Sequence, residues 1–182
     1  MILYHTGYQE IREPDIRHGR VNADFGQGFY MTANEEFARR WARARKDAQT
    51  IVNVYDLDLT GLTVHRFERN EEWFDYIFRN RAAKPDRLPD ADVIIGPIAN
   101  DTIYDTFGII TSGLLPAEKS MRLLMIGPCY EQIVVKSQRA ADQLVWREGN
   151  VLTEQEVAGY REIVAQEEAE YQRLFAEEME RM

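Results

Sequence analysis

The residues best suited to chemistry fall in two short stretches near the start of the chain, "YHTG" at 4–7 and "DFGQGFYMT" at 24–32. Glycine inside a strand weakens it, and marks a bulge or a point where another group must come close to the backbone. Gly26 and Gly28 stand among Phe25, Phe29 and Tyr30, so three aromatic rings sit beside such a point. Other chemistries find no motif. His5, His18 and His65 are widely spaced and form no zinc-ligand pattern, so no metal site is expected. Neither GxSxG nor GxxxxGK(S/T) occurs, which removes the serine-hydrolase elbow and the P-loop. Cys129 follows Pro128 with no evident activating base and reads as a packed residue, not a nucleophile.

Those residues need elements to hold them. "MILYHTG" reads as a strand ending at His5, residues 8–22 as a loop punctuated by Pro14 and Gly19, and "GFYMT" as a second strand. "ANEEFARRWARARKDA" (33–48) predicts a helix capped by Asn34, with Phe37, Trp41 and Ala44 on one face. Strands are expected over 50–59, in "TVHRFE", in "ADVIIGPI", in "YEQIVVKS" and, briefly, in "VWRE". Helices are expected over 70–83 with Trp73, Tyr76 and Ile77 inward, over 100–113 capped by Asn100 or Asp101, and in "PAEKSMRLLMIG" and "SQRAADQL". "TEQE" at 153–156 is a capping box, after which Val157, Tyr160, Val164, Tyr171, Leu174 and Met182 give one long helix a thin apolar stripe. Short strands mixed with helices indicate an α+β fold, not a doubly wound sheet.

Composition bounds the rest. The chain has 182 residues, 45% hydrophobic and 29% charged, enough for one folded domain. Of the net charge of −9, residues 153–182 carry −6 through nine glutamates against three arginines. Such a surface gives no general help to nucleic-acid binding, although "RRWARARK" (39–46) is locally basic and reads first as a solvated helix face. A single cysteine excludes an internal disulfide and fits a reducing compartment. No apolar run is long enough to cross a bilayer, and "MILYHTG" lacks the basic and apolar regions of a signal peptide. The expected location is the cytoplasm, with no membrane partner.

"YHTG", "GQGFY" and "FARRW", in that order, resemble the ADP-ribosyltransferase superfamily on its diphtheria-toxin-like and poly(ADP-ribose) polymerase-like side. The resemblance extends to a bacterial branch with the pattern "PD-I-x-x-G-R…DFG-x-GFY-x-T", and implies a toxin–antitoxin context with an antitoxin protein as partner. It implies an α+β fold of split antiparallel sheets with flanking helices, spanning 1–152, and the acidic helix 153–182 either packed on that domain or binding a partner. NAD is the implied substrate. The backbone at Thr6 or Gly7 would pair with the carboxamide, and His5 would hold a ribose hydroxyl. Tyr30 would stack on nicotinamide, with Trp41 either covering the ring's other face or serving as a core aromatic. Gly26 and Gly28 would let the chain pass under the ligand without a Cβ in the way. Arg20 is the phosphate candidate, because a guanidinium fork suits that group.

The resemblance also calls for a residue on a late strand to hold the nicotinamide-side ribose, and "YEQIVV" (130–135) offers two registers. One selects Glu131 and the other Gln132, the favoured choice; adjacent strand residues face opposite ways, so only one enters a cleft. Glutamate would supply charge opposite a developing cation, whereas glutamine keeps the hydrogen bonds without it and favours single transfer or weak hydrolysis. Asp24, Asn100 and Asp101 are further cleft candidates, and Asn80 and Arg81 supporting ones. The implied activity is mono-ADP-ribosyl transfer to a macromolecular acceptor, with no metal. An NAD glycohydrolase, an RNA 2′-phosphotransferase and a catalytically idle nucleotide- or protein-binding module are the alternatives. The phosphotransferase would need inward basic residues that the body lacks outside 39–46.

Overall fold

A computed structural model describes residues 1–99 and 115–181. The helix expected over 100–113, with Asn100 and Asp101, lies outside the described residues. Two sheets divide the strands. β3 (Thr50–Leu57) is the middle strand of the first, between β1 (Ile2–Gly7) and β7 (Leu144–Leu152), all antiparallel. The second runs β2 (Phe29–Met31), β6 (Glu131–Val135), β5 (Val93–Pro97), β4 (Val64–Arg66). β4 is parallel to β5, which departs from the expected antiparallel arrangement. Parallel neighbours need a crossover between them, and α2 (Glu71–Arg81) provides it. Among the described residues, a bridge from Tyr4 to Thr32 joins the two sheets.

Alternation along β5 and β6 decides which side chains reach which layer. Val93, Ile95, Ile133 and Val135 join Leu3, Phe29, Tyr55 and Leu57 in a core that takes side chains from both sheets. Ile94 and Val134 join the second core, with Trp73, Phe74 and Ile77 of α2, Leu123 of α3 (Ala117–Leu124), and Tyr171 and Phe175 of α5 (Glu154–Glu180). Gln132 shares parity with Val134, so it faces away from the inter-sheet core.

Three elements differ from their sequence-based bounds. α1 stops at Arg40, with Trp41 as its C-cap, instead of running on to residue 48. Arg43 reaches back to donate to the carbonyls of Arg40 and Ala42, supplying partners that a longer helix would have supplied, and the chain turns through Asp47 at φ 62°. β7 extends well past "VWRE" because β3 offers a partner along its whole length, with an irregularity opposite Val54 and Tyr55. β1 continues to Gly7, paired with Ile51. α4 (Gln138–Ala141) is the short helix expected after β6.

α5 carries its capping box, with Thr153 Oγ1 accepting from the Glu156 amide and the Glu156 carboxylate accepting from the Thr153 amide. It packs on the body through Val157, Val164, Tyr171 and Phe175, the last in place of the expected Leu174. Glu167 also pairs with Arg40, and Glu178 with Arg122. No helix among the described residues is long and apolar enough to cross a membrane.

Candidate functional site

A cavity of about 360 Å³ opens where β1, β2 and α1 converge on the end of β6. His5 and Thr6 come from β1, Tyr30 from β2, Trp41 from the end of α1, Gln132 from β6, and Arg20 and Asp24 from the loop before β2. Tyr30 pairs with Val134 in the β2–β6 ladder, and directly opposed residues point to one side of a sheet. Gln132, two residues before Val134, therefore shares that side with Tyr30.

Hydrogen bonds set the chemistry of each group. His5 Nδ1 lies 2.8 Å from the Tyr30 carbonyl oxygen, which can only accept, so Nδ1 carries the proton and Nε2 is left as an acceptor. Burial holds the imidazole below its ordinary pKa, outweighing the Tyr30 carbonyl, and the ring is neutral at pH 7. The Tyr30 hydroxyl donates to the Gly26 carbonyl at 2.6 Å and accepts from the Phe25 amide at 3.0 Å. Burial, and then the charge of Asp24, push its pKa up, so it remains a donor. Gln132 is 5% exposed and donates through Nε2 to the Pro97 carbonyl at 3.3 Å. Its own carbonyl oxygen has no partner among the described residues.

The charges are arranged unequally. Asp24 is buried and doubly bonded by Arg81, at 2.9 Å to Nε and 2.8 Å to Nη2, while Asn80 donates to its backbone carbonyl. Asn80 and Arg81 thus hold Asp24 at the border of the cavity. Arg20 is exposed at the cavity and has no ion-pair partner among the described residues. Trp41 is 36% exposed and packs edge-on to Phe37, which in turn stacks on Tyr130 at 4.1 Å.

Several candidates stand elsewhere. Glu131 is exposed and outside the cavity lining; its backbone carbonyl accepts from Thr32 Oγ1. Gly7 lies in β1 beside His5 and does not line the cavity. The glycine pair answers to protein atoms, not to the cavity. A Cβ on Gly28 would sit 2.7 Å from both Val134 Cγ1 and the Val135 carbonyl, so what comes close there is β6. Gly26 has φ +76°, the left-handed region that glycine enters without steric cost. Of the basic run, Arg39 and Arg40 are paired with Glu35 and Glu36. Cys129 is exposed, not packed, in the loop that joins α3 to β6. No group of potential metal ligands occurs among the described residues. Tyr4, Thr32, Phe37 and Ile98 also line the cavity. Their spacing carries no signal, because they meet only through the sheet bridge and the docking of α1.

The neutral His5 has a consequence for stability. An unfolded histidine takes up its proton near pH 6.5, and the folded ring does so at lower pH. As pH falls below that value the unfolded state binds more protons, so stability falls until the folded pKa is passed. The urea midpoint of the wild type is expected to drop between about pH 7.5 and about pH 5.5 by more than that of His5→Asn, which keeps a donor for Tyr30 but does not titrate. Equal drops would show that His5 is not the group responsible.

The family model described as "Protein of unknown function (DUF3990)" matches residues 1–146, and the chain belongs to that family. Comparison with curated proteins and with solved structures finds no significant match.

Proposed function

We propose that this DUF3990 member is a cytoplasmic ADP-ribosyltransferase that transfers ADP-ribose from NAD to a macromolecular acceptor and releases nicotinamide. One observation carries the reading. His5, Tyr30, Trp41 and Gln132, which the sequence resemblance assigns to NAD, line a single cavity although more than a hundred residues separate the first from the last. The cavity is large enough for one end of a dinucleotide, since ligand pockets commonly run from about 300 Å³ upward. Its groups also suit the parts of that ligand. Neutral His5 offers Nε2 to a ribose hydroxyl, and Gln132 offers its carbonyl oxygen, without a partner among the described residues, to the ribose on the nicotinamide side. Tyr30 and Trp41 would lie against the planar base, Thr6 would pair with the carboxamide through its backbone, and Arg20, without an ion-pair partner among the described residues, would take a phosphate.

In the reaction, the bond from the ribose anomeric carbon to the nicotinamide nitrogen breaks, and its electrons neutralise the ring, which leaves. The acceptor nucleophile forms the new bond to that carbon and gives up its proton to solvent. Gln132 stabilises the cationic sugar by hydrogen bonding and dipole, without a full charge. The toxin–antitoxin setting implied by the resemblance belongs to the same proposal.

The test is nicotinamide release from NAD, with and without cell lysate, for the wild type and Tyr30→Ala. Release that needs lysate and falls about tenfold in Tyr30→Ala, the scale of one lost ring contact, is the expected result. Release without lysate would make the protein a glycohydrolase. Binding of NAD with no release would end the enzyme reading.

A further inference from the structure

The loop that clasps the Tyr30 hydroxyl is itself held from behind. The Phe25 amide and the Gly26 carbonyl both bond to Tyr30 Oη, and the Phe25 side chain is fully buried. Between those two bonds lies the Phe25 carbonyl, which accepts from Lys136 Nζ at 2.7 Å. Lys136 follows β6 directly, its side chain is 9% exposed, and its ammonium also bonds to Tyr76 Oη at 3.2 Å and pairs with Asp86. Tyr76 donates to the other Asp86 oxygen at 2.8 Å. An ammonium has three donors, and here all three are used inside the protein.

Apolar packing alone does not call for a charge in this position. Burying an ammonium is costly unless it is paired and hydrogen-bonded, and a methionine would fill similar space. What lysine adds is a donor aimed at the Phe25 carbonyl. It also sets a limit on the neighbouring residue, since a Cβ on Gly26 would lie 3.3 Å from Nζ. Parity along β6 links this point to the cavity: positions 132, 134 and 136 fall on the side of the sheet that Tyr30 occupies. One strand therefore offers Gln132 to the cavity and, four residues on, Lys136 to the loop behind Tyr30.

We propose that Lys136 is a positioning residue for Tyr30: bonded to Phe25 and backed by Asp86 and Tyr76, it fixes the loop whose backbone holds the phenol, and so sets the ring against nicotinamide. This rests on the NAD reading of the cavity. Lys136 does not line the cavity, and its effect is confined to ligands that carry the ring Tyr30 covers. ADP-ribose has the ribose and phosphate groups of NAD but lacks nicotinamide.

The test measures Kd for NAD and for ADP-ribose by calorimetry in the full chain, and amide hydrogen exchange at Phe25. Lys136→Met is expected to weaken NAD about fivefold, leave ADP-ribose unchanged and speed exchange at Phe25. In a Tyr30→Ala background the same substitution should have no further effect on NAD, because the two act as a unit. Asp86→Asn, a milder change at a half-exposed position, should show the same pattern in weaker form and serves if Lys136→Met does not fold. Unchanged NAD affinity, or equal losses for both ligands, would overturn the positioning role. Unchanged exchange at Phe25 would overturn the clasp itself. A wild type that binds neither ligand would overturn the NAD reading instead.

Discussion

Gln132→Leu is expected to lower nicotinamide release about 100-fold while leaving the fold intact, which separates chemistry from stability at one position. The substitution removes the hydrogen bonds offered to the cavity and keeps a side chain of similar size. It leaves no buried orphan behind. The Pro97 carbonyl, to which Gln132 donates, also accepts from Trp73 Nε1 at 2.9 Å, so one donor remains after the exchange. Replacing a buried amide by an apolar group in such a setting costs under about 1 kcal/mol. Release assays and urea denaturation on the same preparation decide the matter. Release at the wild-type rate would remove Gln132 from the transition state, and unfolding would assign it to the core. Glu131→Leu is the control, because that side chain is exposed outside the cavity lining.

Arg81→Met is expected to cost about 3–5 kcal/mol of stability, the usual result of removing one partner from a buried ion pair. The Asp24 side chain is 8% exposed and that of Arg81 3%, so water does not readily replace the guanidinium. Asp24 begins the loop that reaches Gly26, and loss of its anchor loosens the segment that holds Tyr30. Part of the stability should return in the double variant Asp24→Leu, Arg81→Met, since the buried Asp24 carboxylate is then no longer left without its guanidinium. The change in urea midpoint measures both effects. A loss under about 1 kcal/mol in the single variant would show that Asp24 is hydrated through the cavity it borders.

The two expectations depend on different kinds of information. That only one of Gln132 and Glu131 can face the cavity is a sequence property, while "IVV", buried on both faces of the sheet, left the choice between them open. Ile133 and Val135 enter the inter-sheet core, and the period of two then sends Gln132 to the opposite side. That Asp24 is anchored by Arg81 was not visible. Fifty-seven residues separate them, and both residue types commonly serve as caps and solvated charges.

Helix caps and strand alternation were legible because they are local. Asn34 and Thr153, the caps read from the sequence, each bond a backbone amide within three residues, and Asn70 and Ser137 cap their helices by the same local geometry. The boundaries that differ are those on which distant segments act. α1 is cut short where Arg43 turns back on its last carbonyls, and β7 is long because β3 is available to pair with it. The glycine pair shows the division most clearly. Its composition announced a close approach of something to the backbone. Only the packing of the sheet decided that Gly28 answers to the backbone and side chains of β6, and Gly26 to a loop held by the ammonium of Lys136. Sequence by itself determined which residues need a close neighbour, through steric size and backbone freedom. Tertiary structure decided which neighbour it is, because strand register and long-range ion pairs bring together atoms that no local pattern encodes.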